Sequence, residues 1–188
     1  MTIADSDEDL VRRSRDGDVQ ARRDLIARHV DMVFRIAYRM ARTRAEAEDI
    51  AQDTLERMLE YEPGWLSPVS FRVWVRRALL NRLIDAARRG KRWSFLRPLT
   101  DGVDARDGQP DAEETMSMSQ TARAVSDAVR ALPQRQQAAI VLCHYEGASL
   151  AEAAKTMATT EGAVEQLLQR ARAKLRLDLR DLMEGERP

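Results

Sequence analysis

The stretch that most constrains the fold is Phe71–Arg92, FRVWVRRALLNRLIDAARRGKR, which contains no proline and has its one glycine near the end. At about 100° per residue, its apolar and polar positions separate onto two sides of a predicted helix. The apolar side consists of Val75, Leu79, Leu83 and Ala86. The polar side, which we call the front face, consists of Trp74, Arg77, Asn81, Asp85 and Arg88.

The front face carries the chemistry of nucleic-acid recognition. Arginine neutralises phosphates, asparagine can pair with a base edge, and an aromatic ring can stack on an unpaired base. The helix is followed by further positive charge at Arg89, Lys91 and Arg92. Taken alone, the stretch also fits an ordinary amphipathic helix with a solvated basic face, so the rest of the chain has to decide between the two.

Composition excludes some classes of protein. The 188 residues suggest one or two domains, and the shortage of aromatics beside abundant Ala, Arg, Leu and Glu favours helices. Lys plus Arg and Asp plus Glu both number 31. This balance excludes a uniformly basic nucleic-acid binder but permits one whose charges are segregated along the chain.

No cofactor and no metal site is predicted. Cys143 is the one cysteine, so no intramolecular disulfide and no cysteine zinc site can form, and its apolar neighbours predict a buried thiol. His29 and His144 lie in separate halves without a motif around them, and no glycine-rich phosphate loop occurs. The chain is therefore predicted not to be an enzyme.

The N-terminus, MTIADSDEDL, is acidic and has no apolar core, which is unlike a signal peptide. No apolar run approaches the roughly 18 residues that a membrane-spanning helix needs. We therefore expect a cytoplasmic protein without membrane insertion.

Before the central helix, periodicity predicts helices over Glu8–Arg15, Val19–Arg42 and from Thr43 to about Tyr61. Thr43 and Glu46 have the spacing of a capping box. The third helix carries polar residues at i, i+3, i+4 and i+7, which we call the acidic stripe: Asp49, Gln52, Asp53 and Glu56. Such a stripe is usually solvated, but one that lies just before a basic helix could dock a basic partner.

The composition changes after Arg97. Residues 98–119 are rich in Gly, Asp and Ser, hold six carboxylates with Arg106 as the one basic residue, and show no apolar period. This pattern predicts a flexible acidic linker. We expect an all-α chain of two small helical domains, 1–96 and 120–188, joined by the linker 97–119.

The second domain is predicted to contain four helices. The first two cover about 120–131 and 134–145, with Pro133 at the first helical position of the second. A Ser149–Glu152 capping box opens a third, short helix, and the fourth runs from 161 to about 183. Leu150 and Met157 are expected to point inward, and Thr159 or Thr160 to cap the last helix. Two helices joined by a tight turn predict a helix-turn-helix, although a plain helical hairpin shows the same pattern.

Three segments resemble the bacterial sigma factors, in particular the two-domain extracytoplasmic-function (ECF) group. AEAEDIAQDTLERML is similar to the family's polymerase-binding helix, and FRVWVRRALLNRLIDAARR to its promoter minus-ten helix, with Asn81 and Asp85 as the Asn-x-x-x-Asp pair. LPQRQQAAIVLCHYEGASLAEAA followed by EGAVEQLLQRARAKL is similar to the C-terminal promoter-reading domain. All three occur in the family's order, with an acidic linker between them.

The resemblance implies a role for each surface. The acidic stripe would dock on core RNA polymerase, and the linker would thread toward the RNA exit channel. The first domain would melt the minus-ten element and extrude one base from it. The residues that would read this element are Trp74, Arg77, Asn81, Asp85, Arg88, Arg89, Lys91 and Arg92. The minus-thirty-five element would be read by Thr159, Thr160, Glu161, Glu165, Gln166, Gln169 and Arg170. An anti-sigma factor is implied as a second partner.

The recognition helix departs from the family pattern, because many members carry Lys and Arg where this chain has Glu165 and Leu167. A glutamate can accept a hydrogen bond from a cytosine amino group, or it can weaken attraction to phosphates.

Two other functions remain open at this stage. A free-standing helix-turn-helix regulator would leave the front face and the acidic stripe unused. A sigma-like mimic that sequesters an anti-sigma factor would have no use for the basic run Arg88–Arg92.

Overall fold

The computed structural model describes residues 5–61, 70–96 and 120–180. In these ranges the regular structure is helical, which confirms the predicted all-α class. The helices are α1 (Asp7–Arg15), α2 (Val19–Met40), α3 (Arg44–Leu59), α4 (Phe71–Leu96), α5 (Gln120–Arg130), α6 (Gln134–Ile140), α7 (Leu150–Thr156) and α8 (Glu161–Asp178). A π-helical turn, Val141–Tyr145, extends α6.

Helices α1–α4 pack together as a first bundle, and α5–α8 as a second. The predicted apolar side of α4 is buried: Val75, Leu79, Leu83 and Ala86 all lie in the interior. The two bundles also contact each other, and their buried apolar residues form one continuous cluster. The linker 97–119 lies outside the described residues, so its flexibility and the predicted domain boundaries stay predictions.

Local hydrogen bonds explain where several helices begin. The Thr160 hydroxyl accepts from the Ala163 N–H, which makes it the cap of α8, and Ser149 with Glu152 forms the predicted capping box of α7. At α3 the predicted box is only half formed. Thr43 accepts from the Glu46 N–H, but the Glu46 carboxylate accepts from the N–H of Arg42 rather than from that of Thr43.

Several boundaries differ from the sequence prediction. Pro133 precedes α6 as its N-cap instead of being its first helical residue. The expected continuous helix to Tyr145 changes to a π-helical turn, and Gly147 with a φ of +63° follows it, a conformation that glycine adopts without steric cost. The turn between α7 and α8 is made at Ala158, which has a φ of 49°.

Two predicted burials are wrong. Leu150 is 37% exposed, because it opens α7 at the edge of the bundle rather than beneath it. Cys143 is half-buried rather than fully buried, and this partial burial raises the pKa of its thiol. His29, in contrast, is 3% exposed, as expected for a packed core histidine. Within the described ranges, no helix is long and apolar enough to span a membrane.

Candidate nucleic-acid interface

Most polar side chains on the front face of α4 are exposed. Asn81, Asp85, Arg88 and Arg89 are exposed, whereas Arg77 is half-buried. The Asp85 carboxylate lies 3.9 Å from the Arg88 guanidinium, and both side chains are solvated, so the pair leaves Arg88 available for a phosphate. The side chains of Lys91 and Arg92 lie outside the described residues.

Trp74, a member of the front face, also has a structural role. Its ring stacks on Phe71 at 5.9 Å and lies 4.6 Å from the Tyr61 ring, centroid to centroid. Phe71 is fully buried, so this aromatic cluster fixes the start of α4 against the end of α3. Trp74 is half-buried in this cluster, so its ring has little rotational freedom, and a base contact by Trp74 stays a prediction.

Three residues of the acidic stripe are exposed, and the fourth is hydrogen-bonded to another helix. Asp49, Gln52 and Glu56 are exposed, and the Gln52 amide donates to the Glu56 carboxylate at 3.0 Å. Asp53 is half-buried and accepts from Arg82 of α4, with Arg57 at 3.5 Å on its other side. Asp53 therefore joins the acidic stripe to the helix that carries the front face, a connection that helical spacing within α3 could not reveal.

The helix-turn-helix consists of α7, the turn at Ala158 and α8. Val164, Leu168 and Ala171 bury the inner side of α8. The predicted base-reading residues Thr160, Glu161, Glu165, Gln166, Gln169 and Arg170 are exposed, and Thr159 is half-buried. A helix seated on its partner by one apolar seam and exposed along the other side has the geometry that major-groove recognition requires.

Arg76 is a buried charged residue that the helical pattern of α4 did not predict. It is only 2% exposed, and it lies where α4 meets the second bundle, with its Nη2 donating to the Glu146 carbonyl at 3.3 Å. Its burial lowers the pKa of the guanidinium. Its position in the sequence could have indicated this burial. Arg76 lies about 40° around the helix axis from the apolar Leu80, so it borders the apolar side of α4.

The described residues contain no group of three or more His, Cys, Asp or Glu side chains that could hold a metal ion. The chemistry that the arrangement supports is recognition by hydrogen bonds, stacking and phosphate contacts.

Most of the chain matches known protein families. Residues 25–93 match the sigma-70 region 2 model, and residues 122–175 match the sigma-70 region 4 model. The ECF RNA polymerase sigma factor SigM of Mycobacterium tuberculosis is 31% identical over 170 residues, covering 90% of this chain and 83% of SigM. The chain belongs to the ECF group of RNA polymerase sigma factors.

A second relative of this sigma factor is longer. The ECF sigma factor SigE of Mycolicibacterium smegmatis is 33% identical over 159 residues, which cover 81% of this chain but 59% of SigE. Among solved structures, the sigma factor RpoE of Bartonella quintana, in complex with the anti-sigma factor NepR, superposes with a TM-score of 0.63 at 20% identity. That match covers 84% of this chain and 96% of RpoE, and it establishes the likeness of fold.

Proposed function

We propose that this sigma factor binds core RNA polymerase in the cytoplasm and directs it to a specific set of promoters. The acidic stripe docks on the polymerase, α4 captures the melted minus-ten strand, and α8 reads the minus-thirty-five duplex. The protein acts as a specificity subunit and catalyses no reaction itself. The observation that carries the proposal is the presence, on one chain, of both sigma-70 regions with an exposed polar face on each reading helix.

The energetics of the minus-ten step suit the front face. Extruding a base from a stack costs a few kcal/mol, which stacking on an aromatic ring and pairing with an amide can offset. Trp74 and Asn81 lie on the same side of α4 and can supply these two interactions, while Arg88 and Arg89 remain exposed for the backbone phosphates. No nucleotide hydrolysis is needed, because polymerase binding supplies the remaining free energy.

We further propose an anti-sigma factor as a second partner. The support is that the RpoE of similar fold was solved in complex with NepR, an anti-sigma factor.

The direct test is run-off transcription with purified core polymerase and a library of genomic fragments. We expect transcripts with discrete starts that core polymerase alone does not make, with shared sequences upstream at the two promoter elements. Unchanged start sites would contradict the proposal. A gel shift without polymerase separates the main alternative, because tight sequence-specific binding by the protein alone would favour a free-standing helix-turn-helix regulator.

A further inference from the structure

Charge is unevenly distributed along α8. From Glu161 to Gln169 the helix has two carboxylates and no basic side chain, whereas the stretch from 170 to 176 holds Arg170, Arg172, Lys174 and Arg176. Attraction to phosphates is therefore concentrated in the second half of the helix. The first half has to gain its affinity for DNA from the bases.

Glu165 is a carboxylate that contacts within the fold do not explain. It is exposed, and among the described residues none donates a hydrogen bond to its carboxylate or forms an ion pair with it. One turn after it stands the uncharged Gln169, and one turn before it stands Glu161. Like charges at i and i+4 repel each other, so Glu165 destabilises its own helix slightly.

Glu161, in contrast, has favourable surroundings inside the molecule. It lies in the first turn of α8, where the helix dipole stabilises a negative charge. It also lines a groove together with Arg77 of α4 and Lys155 of α7. Glu165 lies beyond the first turn, where the effect of the dipole fades, so its charge is better explained by a partner outside the chain.

Gly162 indicates that such a partner approaches the helix closely. It is exposed, and no atom from another part of the described chain lies within 4 Å of the point where a Cβ would stand. Packing inside the protein therefore does not require glycine here. Glycine is less favourable than alanine in a helix, and one of its uses is to let the backbone approach a ligand. A major groove that receives the helix at Gly162 brings Glu165, one turn further on, to the base edges.

The position of Glu165 around the helix agrees with base contact. Glu161 and Gln169 lie about 40° from it on opposite sides, so Glu165 is flanked by two other exposed residues of the predicted reading surface. The N-terminal residues of a recognition helix are those that contact base edges.

The chemistry of a carboxylate restricts which base it can contact. An ionised glutamate only accepts hydrogen bonds, and in the major groove guanine presents two acceptors and thymine one. Adenine presents an amino group beside the N7 acceptor, whereas cytosine presents its N4 amino group alone. Cytosine is therefore the base that a glutamate meets without repulsion from a neighbouring acceptor.

We infer that Glu165 selects cytosine in the minus-thirty-five element by accepting a hydrogen bond from its N4 amino group. The inference rests on the proposed function, which assigns duplex promoter DNA to α8. Bringing a carboxylate close to phosphates is unfavourable for every sequence, but the bond to cytosine forms at one base alone. Glu165 therefore acts mainly against incorrect sequences, and specificity often depends on such a repulsive group.

The experiment selects random-sequence duplexes with the full chain, in parallel with and without core polymerase. The unaltered protein is compared with Glu165→Gln and with Asp127→Asn, a control that removes an exposed carboxylate from α5 of the same bundle. Circular dichroism verifies that each variant is folded. We expect the unaltered protein and the control to enrich cytosine about tenfold at one position of the minus-thirty-five element. Glu165→Gln should transfer that preference to adenine, because glutamine pairs with adenine N6 and N7, and leave the other positions unchanged.

Glu165→Ala separates a base contact from simple repulsion of phosphates. Fluorescence anisotropy measures its affinity for four duplexes that differ only in the selected base pair. Loss of the cytosine contact should reduce the roughly tenfold preference to near equality. Tighter binding to all four duplexes by one common factor would overturn the inference in favour of repulsion.

The remaining outcomes distinguish this inference from the proposed function. Base preferences that are the same for Glu165→Gln and the unaltered protein would overturn the role of Glu165, even if run-off transcription succeeds. A change from cytosine to adenine seen only without polymerase, together with unchanged start sites in transcription, would support the role of Glu165 and contradict the proposed function. Failure to enrich any sequence in either arm would overturn both.

Discussion

His29 and Asp7 join the first two helices of the chain. The His29 Nε2 lies 3.0 Å from Asp7 Oδ2, and the imidazole meets the Phe71 ring in a T-shaped contact with centroids 5.3 Å apart. Asp7 is the first residue of α1, His29 is in the middle of α2, and Phe71 begins α4. One buried ring therefore ties three helices of the first bundle together.

This pair predicts a pH-dependent contribution to stability. The hydrogen bond from His29, followed by that from Arg28, holds the pKa of Asp7 below its ordinary value of 3.8, against the opposing effect of burial. The unfolded chain therefore binds more protons than the folded one between the two pKa values. The contribution is fully present above pH 3.8 and is lost as the pH falls through the lower, folded pKa.

Asp7→Asn should accordingly lower the free energy of unfolding by about 1 kcal/mol at pH 7, and the difference from the unaltered protein should shrink below pH 3.8. Urea denaturation at several pH values between 7 and 3 measures both effects. Asp24→Asn, an exposed change on α2, serves as the control. A difference that stays constant across the whole range would contradict the assignment to Asp7.

Asn81→Ala tests the front face at a position where packing is not disturbed. Because Asn81 is exposed, the variant should keep its stability and its affinity for core polymerase, yet reduce promoter opening by roughly tenfold, the effect of losing a base contact of 1–3 kcal/mol. Permanganate footprinting on a mapped promoter measures the opening. The control is Arg72→Ala, exposed on the opposite side of α4, and equal melting by Asn81→Ala and this control would count against the front face.

Trp74 requires a different design, because its ring packs on Phe71 and Tyr61. Trp74→Ala would remove packing together with any base contact, and its effect on opening would include lost stability. Trp74→Phe keeps a ring in the cluster. We expect Trp74→Phe to reduce promoter opening less than Trp74→Ala does while leaving the thermal midpoint close to that of the unaltered protein, and circular dichroism melting checks the second point.

Asp49→Lys tests the acidic stripe. Asp49 is exposed, so reversing its charge should leave the fold intact and weaken binding to core polymerase by roughly tenfold through loss of charge complementarity. Native gel assembly with core enzyme measures the affinity at two salt concentrations, and the loss should be smaller at the higher one. Asp24→Lys makes the same charge change on α2. Equal affinity of the two variants would mean that the stripe is simply solvated.

Arg170→Ala tests the recognition helix. Arg170 is exposed on α8, and a phosphate contact there should appear as a slope of log affinity against log salt that is smaller by about 0.9. The binding of polymerase holoenzyme to promoter DNA, measured by fluorescence anisotropy over a salt series, gives this slope. Arg176→Ala, exposed on the same helix but about 120° away around its axis, is the control, and an unchanged slope for Arg170→Ala would exclude the contact.

Local chemistry made much of the fold predictable from the sequence. Thr160 and Ser149 cap α8 and α7 as expected, because capping depends on residues three positions apart. The apolar side of α4 was predictable for the same reason, since the helical period relates Val75, Leu79 and Leu83 without reference to any other element. Leu150 and Cys143 were misjudged, because burial depends on what another helix covers.

The sequence by itself determined most of the helices, the caps at Ser149 and Thr160, and the separation of charge between α3 and α4, since these follow from near neighbours along the chain. The family was evident from three segments in a characteristic order. The tertiary structure decided which charged side chains are paired or buried and which remain exposed. It ties Asp53 to Arg82, buries Arg76 against Glu146, and sets the front face opposite the second bundle. These contacts join residues far apart in the chain, and their free energy depends on desolvation, which no local pattern encodes.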